Sequence, residues 1–288
     1  MSRVGSDRNA LLVQLTVAIA VLVFLFAQLE LWNSYWWSRG DEPSIVMAVI
    51  SMVKRHTFNV YPGYIAGDFR TFGLNDLHWQ VPPVNGFIPP EHGIGFAAFV
   101  APLYAALGLS GTRIALIAIN ALVFPLLFLN CVWSGLSRLS AALACLALAT
   151  VMPWEVYIAI LVPEALAGTM TMGIVAAYLR FKQTGHWAYA FGVGLITVLL
   201  PIIYLKYAAL AVASGVFLLA DRKLRMNPAT YVSAALAGAY AFVWVATTVT
   251  VSRSAPAGAL NTSIPLGFIV NSGLPLSTAR TASGCGHP

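Results

Sequence analysis

GFAAFVAPLYAALGL, residues 95–109, is a run of 15 residues, apolar but for glycine, proline and tyrosine. Its reading decides the topology of the whole chain. A helix needs about 20 apolar residues to cross a bilayer. This run either crosses as a short span or stays on one side as a re-entrant or interfacial segment. Seven longer apolar runs surround it, at 10–29, 114–133, 141–160, 163–179, 187–204, 205–220 and 230–251. The short connectors SGLSRLS, RFKQTGH and DRKLRMN hold Arg138, Arg180, Lys182, Arg222, Lys223 and Arg225. If 95–109 does not cross, all six fall on the same side as Arg3 and Arg8, the arrangement that places basic residues in the cytoplasm. If it crosses, all six fall opposite. The first choice predicts an all-α integral membrane protein of about seven transmembrane helices. Its N-terminus is cytoplasmic, and its long first external loop, about 30–111, carries amphipathic interfacial helices.

Composition agrees. Of 288 residues, 59 % are hydrophobic and 9 % charged, against about 25 % charged in soluble domains. The net charge of +6 is spread over small clusters between apolar runs, which suits a membrane protein and not a nucleic-acid partner. Cys131, Cys145 and Cys285 form no disulfide framework and no metal-ligand spacing. The expected partners are membrane lipids, in a bacterial inner or plasma membrane. Residues 1–251 form the embedded core, and 252–288 form a short external tail without a further span.

The acids are unevenly placed. Asp7 and Asp221 fall on the cytoplasmic side, and the other eight fall in the external loop or near outer helix ends. Two of those eight, Asp41 and Glu42, stand just ahead of Pro43–Arg55, which reads as an amphipathic helix lying along the membrane surface. Ile45, Val46, Val49, Met52 and Val53 share its apolar face. One reading makes Asp41 or Glu42 an ordinary N-cap with a first-turn acid. The other makes them working carboxylates at an interface where lipid head groups are presented.

The order of motifs resembles the GT-C superfamily of membrane glycosyltransferases, in particular its dolichyl- or polyprenyl-phosphate-sugar-dependent branch. The stretches that carry the resemblance are GDEP at 40–43, EHGIGFAAFVAPLYAALG at 91–108, PWEVYIAILVPEALA at 153–167 and LLPIIYLKYAALA at 199–211. The resemblance implies sugar transfer from a lipid-linked donor to a glycan, lipid or protein acceptor on the outer side. It implies Asp41 as the general base or metal-binding carboxylate. Glu42 comes second, as support, metal ligand or cap. A divalent cation is left open as cofactor, with Asp41 as its ligand if one binds.

His92, Glu164 and Lys206 are the candidate substrate-binding residues, each with a plainer alternative. His92 orients an acceptor, ligates a metal beside Asp41, or is an ordinary loop histidine. Glu164 is functional or a first-turn acid on the helix dipole. Lys206 pairs with a donor phosphate or snorkels at a helix end. Trp79, Tyr61, Tyr64 and Phe87 stack on sugar or anchor at the interface, and Asp68 and Asp76 read as turn residues. Two other classes of function compete. One is a catalytically inactive or truncated scaffold of the same fold, because the chain stops near the seven-helix core. The other is a transporter, which the lack of an internal repeat disfavours.

Overall fold

The computed structural model describes residues 41–79, 82–90, 92, 94–150, 157–158, 160–233, 235–236 and 238–239. The first apolar run, the aromatic flank Trp32–Trp37, Glu91, Glu155, most of the run 230–251 and the tail lie outside these residues. The elements among the described residues are helices. They are α1 Glu42–Arg55, α2 Tyr61–Ala66, α3 Ile94–Ala121, α4 Val123–Trp133, α5 Arg138–Ala149, α6 Pro163–Thr184, α7 Trp187–Ile203, α8 Ala208–Ala220 and α9 Arg222–Arg225. Two 3-10 turns, Asp68–Phe72 and Leu205–Tyr207, complete them.

One stretch, α3 with α4 from Ile94 to Trp133, is long and apolar enough to cross a membrane. Helices α5 and α7 and the stretch Leu205–Ala220 are apolar but shorter. The 17 residues of α7 rise about 26 Å at 1.5 Å each, slightly less than a hydrocarbon core of about 30 Å. The apolar run 141–160 is not one continuous helix, since α5 ends at Ala149 and residues 160–162 are irregular.

The short run that decides the topology is a separate helical segment. Inside α3 the helix breaks at Gly108, with φ 66° and ψ −174°. That backbone is open to glycine at little cost and strained for other residues. No atom lies near enough to block a Cβ there, so conformation and not crowding requires the glycine. The Thr112 hydroxyl donates to the freed Gly108 carbonyl at 2.6 Å.

Helix α1 departs from the surface-lying helix expected of it. Ten consecutive residues, Glu42–Ser51, are buried on every face, including Ser44 and Ser51 of the face expected to be wet. Phe69, Phe72 and Ile88 of the loop, Phe96, Val100 and Leu116 of α3, Leu161 and Ile203 belong to the same core as α1. The loop therefore folds over α1 and makes it interior. Asn59 holds the loop in register. Its side chain donates to the Gly86 carbonyl at 2.9 Å and accepts from the backbone N–H groups of Ile88 at 3.0 Å and Tyr61 at 3.1 Å.

The helices α6, α7 and α8 correspond to the apolar runs 163–179, 187–204 and 205–220. They turn back at residues 185–186 and 204–207, so α6 and α8 run in the same direction. Two ion pairs mark the two ends of this unit. Glu164 and Lys206 join the starts of α6 and α8, and Lys182 and Asp221 join their ends at 2.9 Å. Arg180 lies over the Trp133 ring, 5.5 Å from its centroid, which brings the end of α4 to the Lys182 end. Arg138, Arg180, Lys182, Arg222, Lys223 and Arg225 thus gather at one end of the helices, and Asp41, His92 and Glu164 at the other.

Close backbone approach sets the start of α3 against the end of α7. A Cβ on Gly95 would lie 1.7 Å from the Ile202 carbonyl oxygen, a backbone atom that cannot swing aside. Gly95→Ala is expected to destabilise the protein by about 1–3 kcal/mol, the usual cost of overpacking. Gly215→Ala, which meets no atom within 4 Å, is expected to leave stability unchanged or raise it by up to about 1 kcal/mol. Thermal melts of the two variants in detergent check the contrast.

The Lys182–Asp221 pair makes stability depend on pH. The ammonium of Lys182 beside it holds the Asp221 carboxyl below its ordinary value. A depressed folded value means that the contribution is complete above the unfolded value of about 3.9. It is lost as pH falls through the lower folded value. Asp221→Asn is expected to melt below wild type at pH 7. The gap between the two melting curves should close as both are taken to pH 2–3.

Candidate functional site

The neighbours Asp41 and Glu42 point to different surroundings because consecutive helix positions are turned about 100° from one another. Asp41 occupies the N-cap position of α1, yet its side chain makes no capping hydrogen bond. Its carboxylate is 54 % exposed, and Oδ2 lies 3.6 Å from Nδ1 of His92. The capping account of Asp41 is therefore not the one its geometry follows.

The Glu42 carboxylate is 1 % exposed. Its Oε1 accepts from Arg113 Nε at 3.0 Å, from Arg113 Nη2 at 2.8 Å and from the Leu161 backbone N–H at 3.1 Å. Burying a lone carboxylate is costly, and a guanidinium partner with added hydrogen bonds offsets that cost. Glu42 is thus enclosed in a buried ion pair with Arg113.

His92 precedes α3, and its side chain is 14 % exposed. The contact of Gly95 with α7 brings its ring to 6.5 Å from the ring of Tyr204. Tyr204 ends α7 and stands 6.1 Å from Tyr207. Between them in sequence, Lys206 holds its ammonium 4.6 Å from the Tyr204 ring centroid and 5.4 Å from that of Tyr207. The same ammonium donates to Glu164 Oε1. Glu164 lies in the first turn of α6, after Pro163, so it meets both the helix dipole and the lysine. Asp41, His92, Glu164 and Lys206, drawn from four segments, come together around two tyrosines.

Three polar atoms of this cluster are buried without a hydrogen-bond partner among the described residues: His92 Nε2, Glu164 Oε2 and the Tyr207 hydroxyl. Buried polar groups of this kind are ordinarily satisfied by protein, water or ligand. The imidazole nitrogen and the hydroxyl can each give or take a proton, and the carboxylate oxygen accepts. A ligand bearing several hydroxyl groups matches such a set.

As metal donors, the geometry offers Asp41 and His92. Among the described residues no group of three or more His, Cys, Asp or Glu side chains converges. Among the described residues, a divalent cation at Asp41 would have His92 as its neighbouring protein donor.

The other loop candidates do not join the cluster. Trp79 packs against Tyr61 at 6.3 Å and Tyr64 at 6.1 Å, an aromatic group within the loop itself. Phe87 bridges to Val84 across the Asn85–Gly86 turn. Asp68 is more than a turn residue: it pairs with Arg55 and with Lys54 at 3.6 Å, tying the last turn of α1 to the loop. Asp76 stands 3.1 Å from His78, both exposed. Sequence reasoning missed Arg113, Tyr204 and Tyr207. The signal for Arg113 was present, because an arginine within an apolar stretch needs a partner. The tyrosines carried no comparable signal.

No family model, curated protein or solved structure matches this chain.

Removing one partner of a buried ion pair typically costs about 3–5 kcal/mol. Glu42→Gln and Arg113→Met are each expected to lower the melting temperature strongly. Glu42→Leu combined with Arg113→Met is expected to recover part of the loss. Asp41→Asn, with no cap bond to lose, should melt with wild type. Melting curves of wild type and the four variants in detergent decide this, and additive losses in the double variant would contradict the pairing.

Proposed function

We propose that this protein is a membrane-embedded glycosyltransferase. It moves a sugar from a polyprenyl-phosphate-linked donor to an acceptor hydroxyl at the face of the membrane opposite its basic end. The observation that carries the reading is the convergence of Asp41, His92, Glu164 and Lys206 around Tyr204 and Tyr207. The four were singled out by the motif order of the sequence and lie far apart along it. About seven crossings and a cytoplasmic N-terminus belong to the same reading. The gathering of the six connector cations at one end supports it, since short basic connectors stay in the cytoplasm.

In this reading Asp41 is the general base, because it is the exposed carboxylate of the cluster. It takes the proton of the acceptor hydroxyl, and the freed oxygen attacks the anomeric carbon. The bond from that carbon to the phosphate oxygen breaks, and the electron pair leaves with the polyprenyl phosphate. His92 positions the Asp41 carboxylate. Lys206 supplies the positive charge for the leaving phosphate, and it must exchange its contact with Glu164 to do so. Glu164 Oε2 and the Tyr207 hydroxyl receive sugar hydroxyl groups. The buried pair Glu42–Arg113 sets the position of the Asp41 backbone and takes no proton.

Sugar transfer in membranes supplied with a panel of polyprenyl-phosphate sugars tests the reading. Wild type is expected to turn over. Asp41→Asn is expected to lose about 10²–10⁴-fold, the range of general acid–base catalysis, at matched expression and unchanged melting temperature. Equal activity in the two would remove Asp41 from the chemistry.

A further inference from the structure

At the end of the helices opposite the candidate site, a shallow, open cleft is lined by Tyr178, Lys182, Phe217, Asp221, Arg222 and Lys223. Its one carboxylate is already engaged. Asp221 accepts from Lys182 Nζ at 2.9 Å, from the Tyr178 hydroxyl at 3.2 Å and from the Lys223 and Leu224 backbone N–H groups at 2.9 and 3.4 Å. Lys182 and Asp221 neutralise one another. Among the described residues neither Arg222 nor Lys223 has an acidic partner. Among the described residues the cleft therefore presents two cations without an acidic partner, beside a neutral pair.

An apolar stripe adjoins it. Val212, Val216 and Leu219, spaced four and three residues apart, are all exposed on α8, and Phe217 is exposed at the lip of the cleft. Residues at that spacing share one helix face. Charge and apolarity thus meet at one place, in the order head then tail.

We propose that this cleft binds an anionic phospholipid. Its phosphate lies against Arg222 and Lys223, and an acyl chain lies along Val212, Val216 and Leu219. Basic pockets at the cytoplasmic ends of membrane helices take anionic head groups in this way. A zwitterionic head group brings its own cation and gains less from these two cations. A free phosphate meets the cations and leaves the stripe uncovered. The site rests on the membrane reading and orientation given above, and does not depend on the glycosyltransferase reading.

The test uses the full chain in a neutral detergent, with the melting temperature followed during titration with short-chain phosphatidylglycerol, phosphatidylcholine or inorganic phosphate. Phosphatidylglycerol is expected to raise it saturably, the other two little. The R222Q/K223Q double variant keeps the Lys182–Asp221 pair and the backbone contacts of Asp221. It is expected to need at least tenfold more phosphatidylglycerol for half the effect. An unchanged response in that variant, or an equal response to phosphatidylcholine, overturns the proposal, and an equal response to phosphate alone overturns its lipid half. Washing the membranes in alkaline carbonate separates the premise from the proposal. A chain released by the wash is not embedded, and both readings fall. A chain retained but indifferent to phosphatidylglycerol overturns this proposal alone.

Discussion

The carboxylate of Glu42 is held by a guanidinium 71 residues further along the chain and by a backbone N–H 119 residues away. All three hydrogen bonds fall on one oxygen atom. That oxygen joins the start of α1, the segment of α3 beyond its break and the irregular stretch before α6. Breaking such a buried pair leaves an uncompensated charge in an apolar interior, which is costly. This constraint fixes where α1 begins, and so where Asp41 stands.

The position of Asp41 follows from that anchor and from the approach of Gly95 to the Ile202 carbonyl. The first sets the carboxylate and the second sets His92 beside Tyr204. Behind Tyr204, the turn at residues 205–207 presents Lys206 to Glu164. The cluster is thus a product of four packed segment ends, each held by backbone contacts or buried charge and not by the cluster's own exposed ion pairs. Exposed pairs such as Lys206–Glu164 contribute little to stability. The opposite end of the molecule follows another pattern, with cations in excess and an apolar stripe beside them. The two ends of the molecule are therefore chemically distinct.

The expectation for α1 failed for an instructive reason. Its hydrophobic face is real, and a helix with one apolar face ordinarily keeps the other wet. Here Phe69, Phe72 and Ile88 of the loop after it join the same core, and Ser44 and Ser51 are buried with the rest. Periodicity describes what a helix can bury. It does not say how many neighbours arrive to cover it.

The helical character of the chain, the separateness of the run 95–109 and the division of the six connector cations from most of the acids could be read from the residues alone. Each depends on local sums: hydropathy over a window and charges counted between apolar runs. The split between Asp41 and Glu42, the identity of Arg113 as partner and the presence of Tyr204 and Tyr207 in the cluster came from the tertiary structure. These depend on which distant surfaces meet, and a pairing across 71 residues leaves no local trace. Only the packed chain shows which carboxylate is enclosed with its counter-charge and which stays open to solvent.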